Sequence, residues 1–501
     1  MEGKDQQIRI ITPLFILMCL VVSVPAFTSA SEKSQDDNYN SISGLRYHGP
    51  IEIDGSSDLG SSEIIYSGTG SPEDPYVLES YLIEKKNRTG IVISNNHHHM
   101  IIRECVVSLG IFEGASGILI VNSTNITIEY SELSNCLVGI MIENSTGIRV
   151  VDTNIHSNHY GMNITGGSRN SVLGCDIIGC LIDGINVIRS PQTVIEKCFL
   201  MGNSGRISYD QAVHITDSSY SMIRGCEMRM NCGTAVQIDG SIEGTSPIAG
   251  IRILDTKIHY NKNGIVISGA EDFRIIRCDI EYNWLGLAAF DSTGSEVTGC
   301  GFLRNDKGIS MKNLSGSSLT SIDFRECGYG MKIQSCRENN ILENRFNRSR
   351  LYDIHISEPD EGGCLSRDNK IIMNIFESEP SRYPATDNGI DNIWDDGEQG
   401  NTWIVSNRMN ICCDWSNGTV RINGTAGSSD SCASIIEMKL DKTDDHSETE
   451  LNGGNDRDRL MVVLSAMIIG MISVVFSVVL FSIFRKDNGK HIAQMESHSM
   501  R

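Results

Sequence analysis

The sequence predicts an all-β fold, a right-handed parallel β-helix of about twelve coils, followed by a single C-terminal transmembrane helix. Three observations predict the β-helix. A small residue followed by apolar residues recurs about every 22 or 23 residues, two further apolar columns keep the same period, and asparagine or cysteine occupies fixed positions between them. Because one such repeat cannot bury its apolar face alone, the repeats are expected to stack in register.

The first column is the small residue itself. The twelve positions are Gly90, Gly117, Gly139, Gly161, Gly184, Ala212, Ala235, Gly264, Gly286, Gly308, Gly330 and Asp353. One and three residues after every one of them stands an apolar residue, as at Ile91 and Ile93. This alternation is typical of a strand with one buried face.

Two more apolar columns predict further strands in each coil. They lie eleven and sixteen residues after the small residue, as at Ile128 and Leu133 or at Ile341 and Phe346. The three columns together indicate two or three short strands per coil, each paired with its copy in the next coil.

Cysteine and asparagine mark the turns. Position fourteen holds cysteine in five repeats, and position nineteen holds either cysteine or asparagine, as at Cys136 and Asn158. We expect asparagine ladders, because the amide bonds backbone groups and the residue tolerates unusual φ. Buried cysteines fit as small hydrophobes; disulfides are the alternative, for which Cys412, Cys413 and Cys432 beyond the repeats are better candidates.

Both ends of the chain carry membrane signals. Residues 1–30 have the basic start, apolar run and small residues of a cleaved signal peptide. Residues 460–484 carry no charge and are long enough to span a bilayer, and Arg485 and Lys486 follow at once. The positive-inside rule therefore predicts a type I single-pass protein of the cell membrane, with the β-helix extracellular.

The predicted organisation follows from these segments. It comprises a signal peptide (1–30), an N-terminal cap (42–89), β-helix repeats (90–379), a C-terminal cap region (380–436), an acidic stalk (437–459), the transmembrane helix (460–484) and a cytoplasmic tail (485–501). Asn-x-Ser/Thr sequons, which fit an extracellular address, stand at Asn87, Asn122, Asn125, Asn144, Asn163, Asn313, Asn347, Asn417 and Asn423.

Charge narrows the range of partners. The formal net charge is −21, which repels nucleic acid and anionic lipid. We therefore expect no nucleic-acid partner. Glycans, other envelope proteins and divalent cations remain, as does an acidic surface that serves only solubility.

Two segments resemble a known family. "IEIDG" and "GTGSPEDPYVLESYLI" look like the N-terminal cap of NosD-like β-helix surface proteins, and "NIWDDGEQGNTW" at 392–403 is similar to their C-terminal cap motif. The resemblance covers about residues 42–403 and implies the pectin-lyase-like fold of carbohydrate-binding and sugar-hydrolase proteins. It implies chemistry weakly, since that fold serves lyases, hydrolases, copper-maturation accessories and scaffolds.

A polar stretch on the first strands is the predicted ligand site. Positions two and four after the small residue are apolar in early and late coils but polar in the middle. The polar residues are Asn163, Thr165, Asn186, His214, Thr216, Gln237 and Asp239. Loops at 204–210 and 240–250 lie beside them, and loops on a rigid scaffold commonly carry binding residues. Amide and hydroxyl groups suit sugar hydroxyls; a solvated face without function is the alternative.

Catalysis is the weaker expectation. Glycoside hydrolysis needs two carboxyl groups around one bond, but Glu143 lies four coils from Asp239, about 19 Å at strand spacing. His214 and Asp239 are the one acid–base pair worth testing. We therefore predict a membrane-anchored surface protein that binds glycans or partner surfaces or builds the envelope. The alternatives are a polysaccharide lyase or glycoside hydrolase, and a NosD-like copper-binding accessory protein.

Metal binding has two weak candidate segments. His97, His98 and His99 are consecutive, so they cannot all face one ion, and surface decoration is the favoured interpretation even though the resemblance suggests copper. Asp391, Asp395 and Asp396 could hold calcium or simply form a solvated cap. No cofactor is predicted firmly; calcium is preferred to copper.

Overall fold

The computed structural model describes residues 44–55, 59, 64–84, 88–109, 115–203, 210–240, 247–378, 384–405, 413–414 and 419–437. These residues belong to one compact unit, Met1–Pro25 with Ser31–Met438; the other unit, Ala26–Ala30 with Lys439–Arg501, lies outside them. The predicted signal peptide, transmembrane helix and cytoplasmic tail also fall outside. Within the described residues, no helix has the length and apolar character needed to cross a membrane.

The described residues form a right-handed parallel β-helix with three long sheets, and each strand pairs in parallel with its copy one coil away. Sheet 1, formed by the strands around the small residue, contains Ile51–Asp54, Ile91–Ser94, Ser116–Val121, Val138–Glu143, Tyr160–Thr165, Ile185–Ile188, Gln211–Thr216, Thr234–Asp239, Asn263–Ser268, Leu285–Phe290, Lys307–Lys312, Tyr329–Gln334, Tyr352–Ile356 and Ala385–Asp387.

The second and third strands of each coil build the other two walls. Sheet 2 contains Tyr76–Glu79, Met100–Arg103, Ile126–Glu129, Arg149–Val151, Ser171–Leu173, Val194–Glu196, Met222–Arg224, Arg252–Leu254, Arg274–Ile276, Glu296–Thr298, Ser318–Thr320, Asn340–Leu342 and Lys370–Ile372. Sheet 3 contains Arg46–Tyr47, Tyr81–Ile83, Val106–Ser108, Glu132–Ser134, Asn154–His156, Asp176–Ile178, Phe199–Met201, Glu227–Arg229, Lys257–His259, Asp279–Glu281, Gly301–Leu303, Asp323–Arg325, Arg345–Asn347, Ile375–Ser378, Thr402–Val405 and Ser434–Glu437.

Two small sheets complete the described strands. Ile248–Ala249 pairs in parallel with Ala270–Glu271, and an antiparallel sheet joins Cys413–Asp414, Thr419–Arg421 and Ser429–Asp430.

The repeat pattern predicted the coils, with a small error in their number. Sheet 2 has 13 strands in the described part of the chain, against about twelve expected coils. The difference arises because the expected cap segment also enters the ladders, where Ile51–Asp54 pairs with Ile91–Ser94 and Tyr76–Glu79 with Met100–Arg103.

All three apolar columns line the interior, as predicted. Ile128, Leu133, Ile341 and Phe346 are each 0% exposed. The small residue is explained by the closeness of the coils: a Cβ added at Gly139 would lie 2.6 Å from the carbonyl oxygen of Gly161. A larger residue at Gly139 would therefore push its coil away from the next one.

Aromatic rings fill the C-terminal part of the interior. Phe302, Phe324 and Phe346 stack on one another with centroids 5.2 and 4.8 Å apart. Phe376 continues the stack and lies 4.3 Å from Trp403, centroid to centroid. Trp403 belongs to the "NIWDDGEQGNTW" segment, so that motif contributes a buried aromatic group to the last coils.

The asparagine ladders are confirmed, but one reason given for them is wrong. Asn283 accepts a hydrogen bond from the Asn261 backbone N–H at 2.9 Å and donates through Nδ2 to the Ile258 carbonyl at 3.2 Å. The positive φ lies one residue earlier, at Tyr282 (54°). Asparagine is thus required for its amide hydrogen bonds, whereas tolerance of an unusual φ is needed at its neighbour.

The interior cysteines are buried free thiols, as expected. They are Cys105, Cys136, Cys175, Cys180, Cys198, Cys226, Cys278, Cys300, Cys327 and Cys336. Cys432 is also a free thiol, which contradicts the alternative of a disulfide at this position. Its Sγ donates a hydrogen bond to Asp395 Oδ1 at 3.8 Å. Cys412 and the side chain of Cys413 lie outside the described part of the chain, and Cys232 is disulfide-bonded.

Candidate functional site

The outward face of sheet 1 carries the predicted ligand residues. In-register pairing places Asn163 beside Asn186, Asn186 beside His214, and His214 beside Gln237. These four side chains are half-buried and form one row across adjacent coils. We call this row, together with Asp239, the central polar patch.

The second predicted row is less uniform. Thr165, Ile188, Thr216 and Asp239 are neighbours in successive strands, so an isoleucine interrupts the polar residues. Thr216 is 2% exposed, and its Oγ1 lies 3.1 Å from His214 Nε2. Thr216 therefore orients the imidazole and offers little surface to a ligand.

His214 and Asp239 make direct contact. His214 Nε2 lies 2.9 Å from Asp239 Oδ2, and Gln237 donates through Nε2 to Asp239 Oδ1 at 2.7 Å. Partial burial raises the pKa of Asp239, but the hydrogen bonds from His214 and Gln237 outweigh burial, so this pKa lies below its ordinary value. The carboxylate is thus charged and held in one orientation at neutral pH.

Two amide oxygens in the patch have unmet hydrogen-bonding capacity. Within the described residues, the Oδ1 atoms of Asn163 and Asn186 are buried and have no hydrogen-bond partner. A buried acceptor without a partner costs about 1–3 kcal/mol. Since buried polar groups are normally satisfied, these two oxygens are exceptions within the patch.

A third outward column was missed by the sequence reasoning. Its residues directly precede the small residue and include Tyr160, Asp183 and Gln211. Asp183 Oδ1 accepts a hydrogen bond from the Gln211 backbone N–H at 2.8 Å. Burial raises the pKa of Asp183, and the Asp210 carboxylate adds to this effect. Extending the polar stretch by one column would have found these residues, because Asp183 is the one acidic residue among the twelve positions that directly precede the small residue.

The carboxyl groups around the patch are widely spaced. Asp183 and Asp239 lie two coils apart and at opposite ends of their strands, which corresponds to about 19 Å at strand spacing and rise. The two carboxyl groups of a glycosidase lie about 5–9.5 Å apart. These two residues therefore cannot flank one glycosidic bond, and His214 with Asp239 is the pair that the geometry offers for proton transfer.

The predicted copper residues point to different partners. His97 Nδ1 lies 3.4 Å from Thr124 Oγ1, whereas the His98 ring packs edge-on against Tyr76 with centroids 5.6 Å apart. No group of three or more His, Cys, Asp or Glu side chains among the described residues is arranged to hold a metal ion. His97, His98 and His99 thus do not converge as a copper site requires, and copper binding stays a prediction.

The acidic loop uses its carboxylates to shape the backbone. Asp395 accepts hydrogen bonds from the Ser431 backbone N–H at 2.8 Å and from Ser431 Oγ at 2.9 Å. Asp396 accepts from the Gln399 N–H at 2.8 Å, and Asp391 is exposed with φ 53°. These contacts are typical of turns, and the calcium expectation stays a prediction.

The described sequons differ in exposure. Asn122, Asn125, Asn144, Asn313 and Asn423 are exposed, whereas Asn163 and Asn347 are half-buried. Asn87 and Asn417 lie outside the described residues, as do 204–209 and 241–246 of the two loops expected beside the patch.

Comparisons with known proteins agree with this architecture. A family model described as a right-handed beta helix region matches residues 89–242, and one described as periplasmic copper-binding protein (NosD) matches residues 246–411. No curated protein matches the sequence significantly.

Similar solved structures include two modules of one enzyme class from Azotobacter vinelandii. The A-module of mannuronan C-5 epimerase AlgE4 is 14% identical with a TM-score of 0.42, covering 56% of this chain and 87% of that one. The AlgE6 A-module is 11% identical with a TM-score of 0.46, covering 68% and 92%. The catalytic unit of a GH87 α-1,3-glucanase from Streptomyces thermodiastaticus is 9% identical, with a TM-score of 0.27 and coverage of 58% and 60%. The three stacked sheets, together with the two family models that match adjacent parts of the chain, show that this chain has the right-handed parallel β-helix fold.

Proposed function

We propose that this protein binds glycans through the central polar patch and does so as a membrane-anchored protein of the cell surface. The observation that carries the proposal is the pair of buried amide oxygens without partners, at Asn163 and Asn186, in a row with His214 and Gln237. Each lies on the outward face of a rigid sheet, where a long ligand can lie across the coils.

The chemistry of the patch suits sugar hydroxyls. The free acceptors match O–H donors, and the Asp239 carboxylate, held by Gln237 and His214, is a stronger acceptor beside them. Coils repeat at about 4.8 Å, close to the length of one pyranose unit, so adjacent side chains can address successive sugars. The exposed sequons support a location outside the cell.

A second candidate function, polysaccharide cleavage, is favoured by one observation. The pKa of Asp183 is raised by burial, whereas the pKa of Asp239 is lowered by the hydrogen bonds from His214 and Gln237 that outweigh its burial. Carboxyl groups with pKa values shifted apart are typical of acid and base pairs in enzymes. The wide separation of these two groups makes binding the preferred function.

The test is a neutral-glycan array and a polysaccharide-turnover screen on the purified full-length protein. We expect binding without product, and Asn186→Ala should weaken binding at least tenfold, about 1.4 kcal/mol, because one acceptor is lost. The His214→Ala, Asp239→Ala double variant should abolish binding. The control variant Ser116→Ala should leave binding unchanged, because Ser116 lies on the same sheet three coils from Asn186.

Two results would contradict the proposal. Equal glycan affinity of Asn186→Ala and the unaltered protein would show that the binding site lies outside the central polar patch. Release of reducing or unsaturated sugar, lost in the His214→Ala, Asp239→Ala variant, would instead establish the enzyme.

A further inference from the structure

The outward face of sheet 2 carries apolar residues over its middle coils, away from the central polar patch on sheet 1. In-register pairing joins the last residues of successive strands into one row across the coils. This row runs Glu129, Val151, Leu173, Glu196, Arg224, Leu254, Ile276 and Thr298, and we call these eight residues the sheet 2 row. Arg224 is exposed and the other seven side chains are half-buried, so the row is open to a partner.

The order of residue types along the sheet 2 row is the same in both directions from its centre. Glu196 and Arg224 form the centre, where their side chains pair at 2.7 Å. Moving outward, the two sides carry a leucine, then a β-branched apolar residue, then a polar residue: Leu173, Val151 and Glu129 on one side, and Leu254, Ile276 and Thr298 on the other. Such a row matches a copy of itself whose coils run in the reverse order.

A second copy related by a two-fold axis would place complementary groups opposite one another. The axis lies along the strand direction, between the coils of Glu196 and Arg224. Glu196 then lies opposite Arg224 of the second copy, so the centre becomes a network of carboxylates and guanidinium groups. Leu173 lies opposite Leu254 of the second copy on each side of this network, which removes apolar surface from water. Isologous contacts of this kind are typical of two-fold dimers.

The first residues of the same strands form a neighbouring row that adds a charge match. Arg149 is exposed, and in the described part of the chain it has no carboxylate oxygen within 4.0 Å. Under the same rotation it lies opposite Arg274 of the second copy. Arg274 has carboxylates beside it, those of Asp272 at 3.2 Å and Glu296 at 3.9 Å. The second copy therefore offers Arg149 the acidic partners that its own chain does not provide.

The sequons lie outside the strands of sheet 2. Asn163 stands in a strand of sheet 1 and Asn347 in a strand of sheet 3, but none of the nine stands in the 13 described strands of sheet 2. The eight coils of the row span about 34 Å, and a face about 15 Å wide gives about 500 Å² per copy. A dimer would bury about 1,000 Å² in total, near the lower limit for specific interfaces, which favours reversible association.

We propose that the outward face of sheet 2 is a dimer interface that pairs two copies of this chain with their coils in opposite order. The Glu196 and Arg224 side chains of both copies form its centre, and the apolar residues of the sheet 2 row pack on either side. The interface lies on sheet 2, so it does not depend on glycan binding by the central polar patch.

Analytical ultracentrifugation of the full-length protein measures the association. We expect a reversible dimer with a micromolar Kd. Glu196→Arg should raise this Kd by about tenfold or more, because only guanidinium groups would then meet at the centre. The double variant Glu196→Arg, Arg224→Glu exchanges the two charges and should return the Kd to within about threefold of the original. The control Glu326→Arg breaks the Arg304–Glu326 pair, also 2.7 Å long, outside sheet 2 and should leave the Kd unchanged.

Engineered thiols test the orientation of the two copies. The double variant Leu173→Cys, Leu254→Cys places its thiols three coils, about 14 Å, apart in one chain, which is too far for a disulfide within that chain. In the reversed pairing each thiol faces the other position on the second copy, so oxidised glutathione should link the copies covalently. Leu173→Cys alone should give no link at this position, as peptide mass spectrometry can verify.

Three outcomes would overturn the proposal. A protein that stays monomeric up to about 0.1 mM has no such interface. A dimer whose Kd is the same for Glu196→Arg and the unaltered protein is held by another surface. A link between two Leu173→Cys copies would mean that the coils run in the same order. Loss of glycan binding in Asn186→Ala with an unchanged Kd of dimerisation is expected, and it separates this interface from the central polar patch.

Discussion

Asn283→Ala is expected to lower the free energy of unfolding by about 2–4 kcal/mol. The asparagine is 3% exposed, and its amide joins three coils: Oδ1 accepts from the Asn261 N–H, while Nδ2 donates to the Ile258 carbonyl and to Asn305 Oδ1. Alanine would leave the Asn261 N–H buried without an acceptor and would remove the hydrogen bonds to the Ile258 carbonyl and to Asn305 Oδ1. A buried group left without a partner costs about 1–3 kcal/mol, and each further hydrogen bond lost costs about 0.5–1.5 kcal/mol.

Urea unfolding followed by circular dichroism gives the measurement. Asn340→Ala is the matched control, because Asn340 is an exposed residue within a strand of sheet 2 and should cost less than about 0.5 kcal/mol. Hydrogen exchange should increase in the coils on both sides of Asn283, since each coil is stabilised by its neighbours. A loss equal to that of the control would mean that the ladder adds no stability.

The fold could be predicted because every coil repeats the same physical problem. Ile128 and its counterparts must be apolar and the Gly139 column must be small, since each coil lies against the next at backbone contact distance. The residue types in one column therefore predict the same buried position in every coil. The error in coil number arose where the repeat ends, because the segment around Ile51 pairs in register without the small residue that defined the pattern.

The surface sites could be predicted only in part. The row from Asn163 to Gln237 was found because it follows the alternation of the strand. Asp183 was missed because the search assumed strict alternation of buried and outward residues. Gly184 and Ile185 are both buried, so the position of Asp183 does not fit that alternation.

Stability should also fall steeply above pH 9, because buried thiols resist ionisation. Burial raises the pKa of Cys136 and Cys180 to about 12 and that of Cys327 to about 11. In the unfolded chain a cysteine ionises near pH 8.5. A thiol whose pKa is higher in the folded state than in the unfolded state contributes its full stabilisation below the unfolded pKa. This contribution to the free energy of unfolding is lost as the pH rises toward the folded pKa. The loss is about 1.4 kcal/mol per thiol and pH unit between about pH 9 and 11.

The thiol contribution can be isolated by comparing urea midpoints at pH 8, 9.5 and 10.5. Cys180→Ala should be less stable at pH 8, because it leaves a cavity, yet should lose less stability on alkalinisation than the unaltered protein. Cys364→Ala, which removes an exposed thiol, should leave the pH dependence unchanged. If Cys180→Ala and the unaltered protein lose stability in parallel, alkaline unfolding has another cause, such as ionisation of the tyrosines. A reduced slope would show that the stacked cysteines act as neutral core residues and that their burial makes the β-helix sensitive to base.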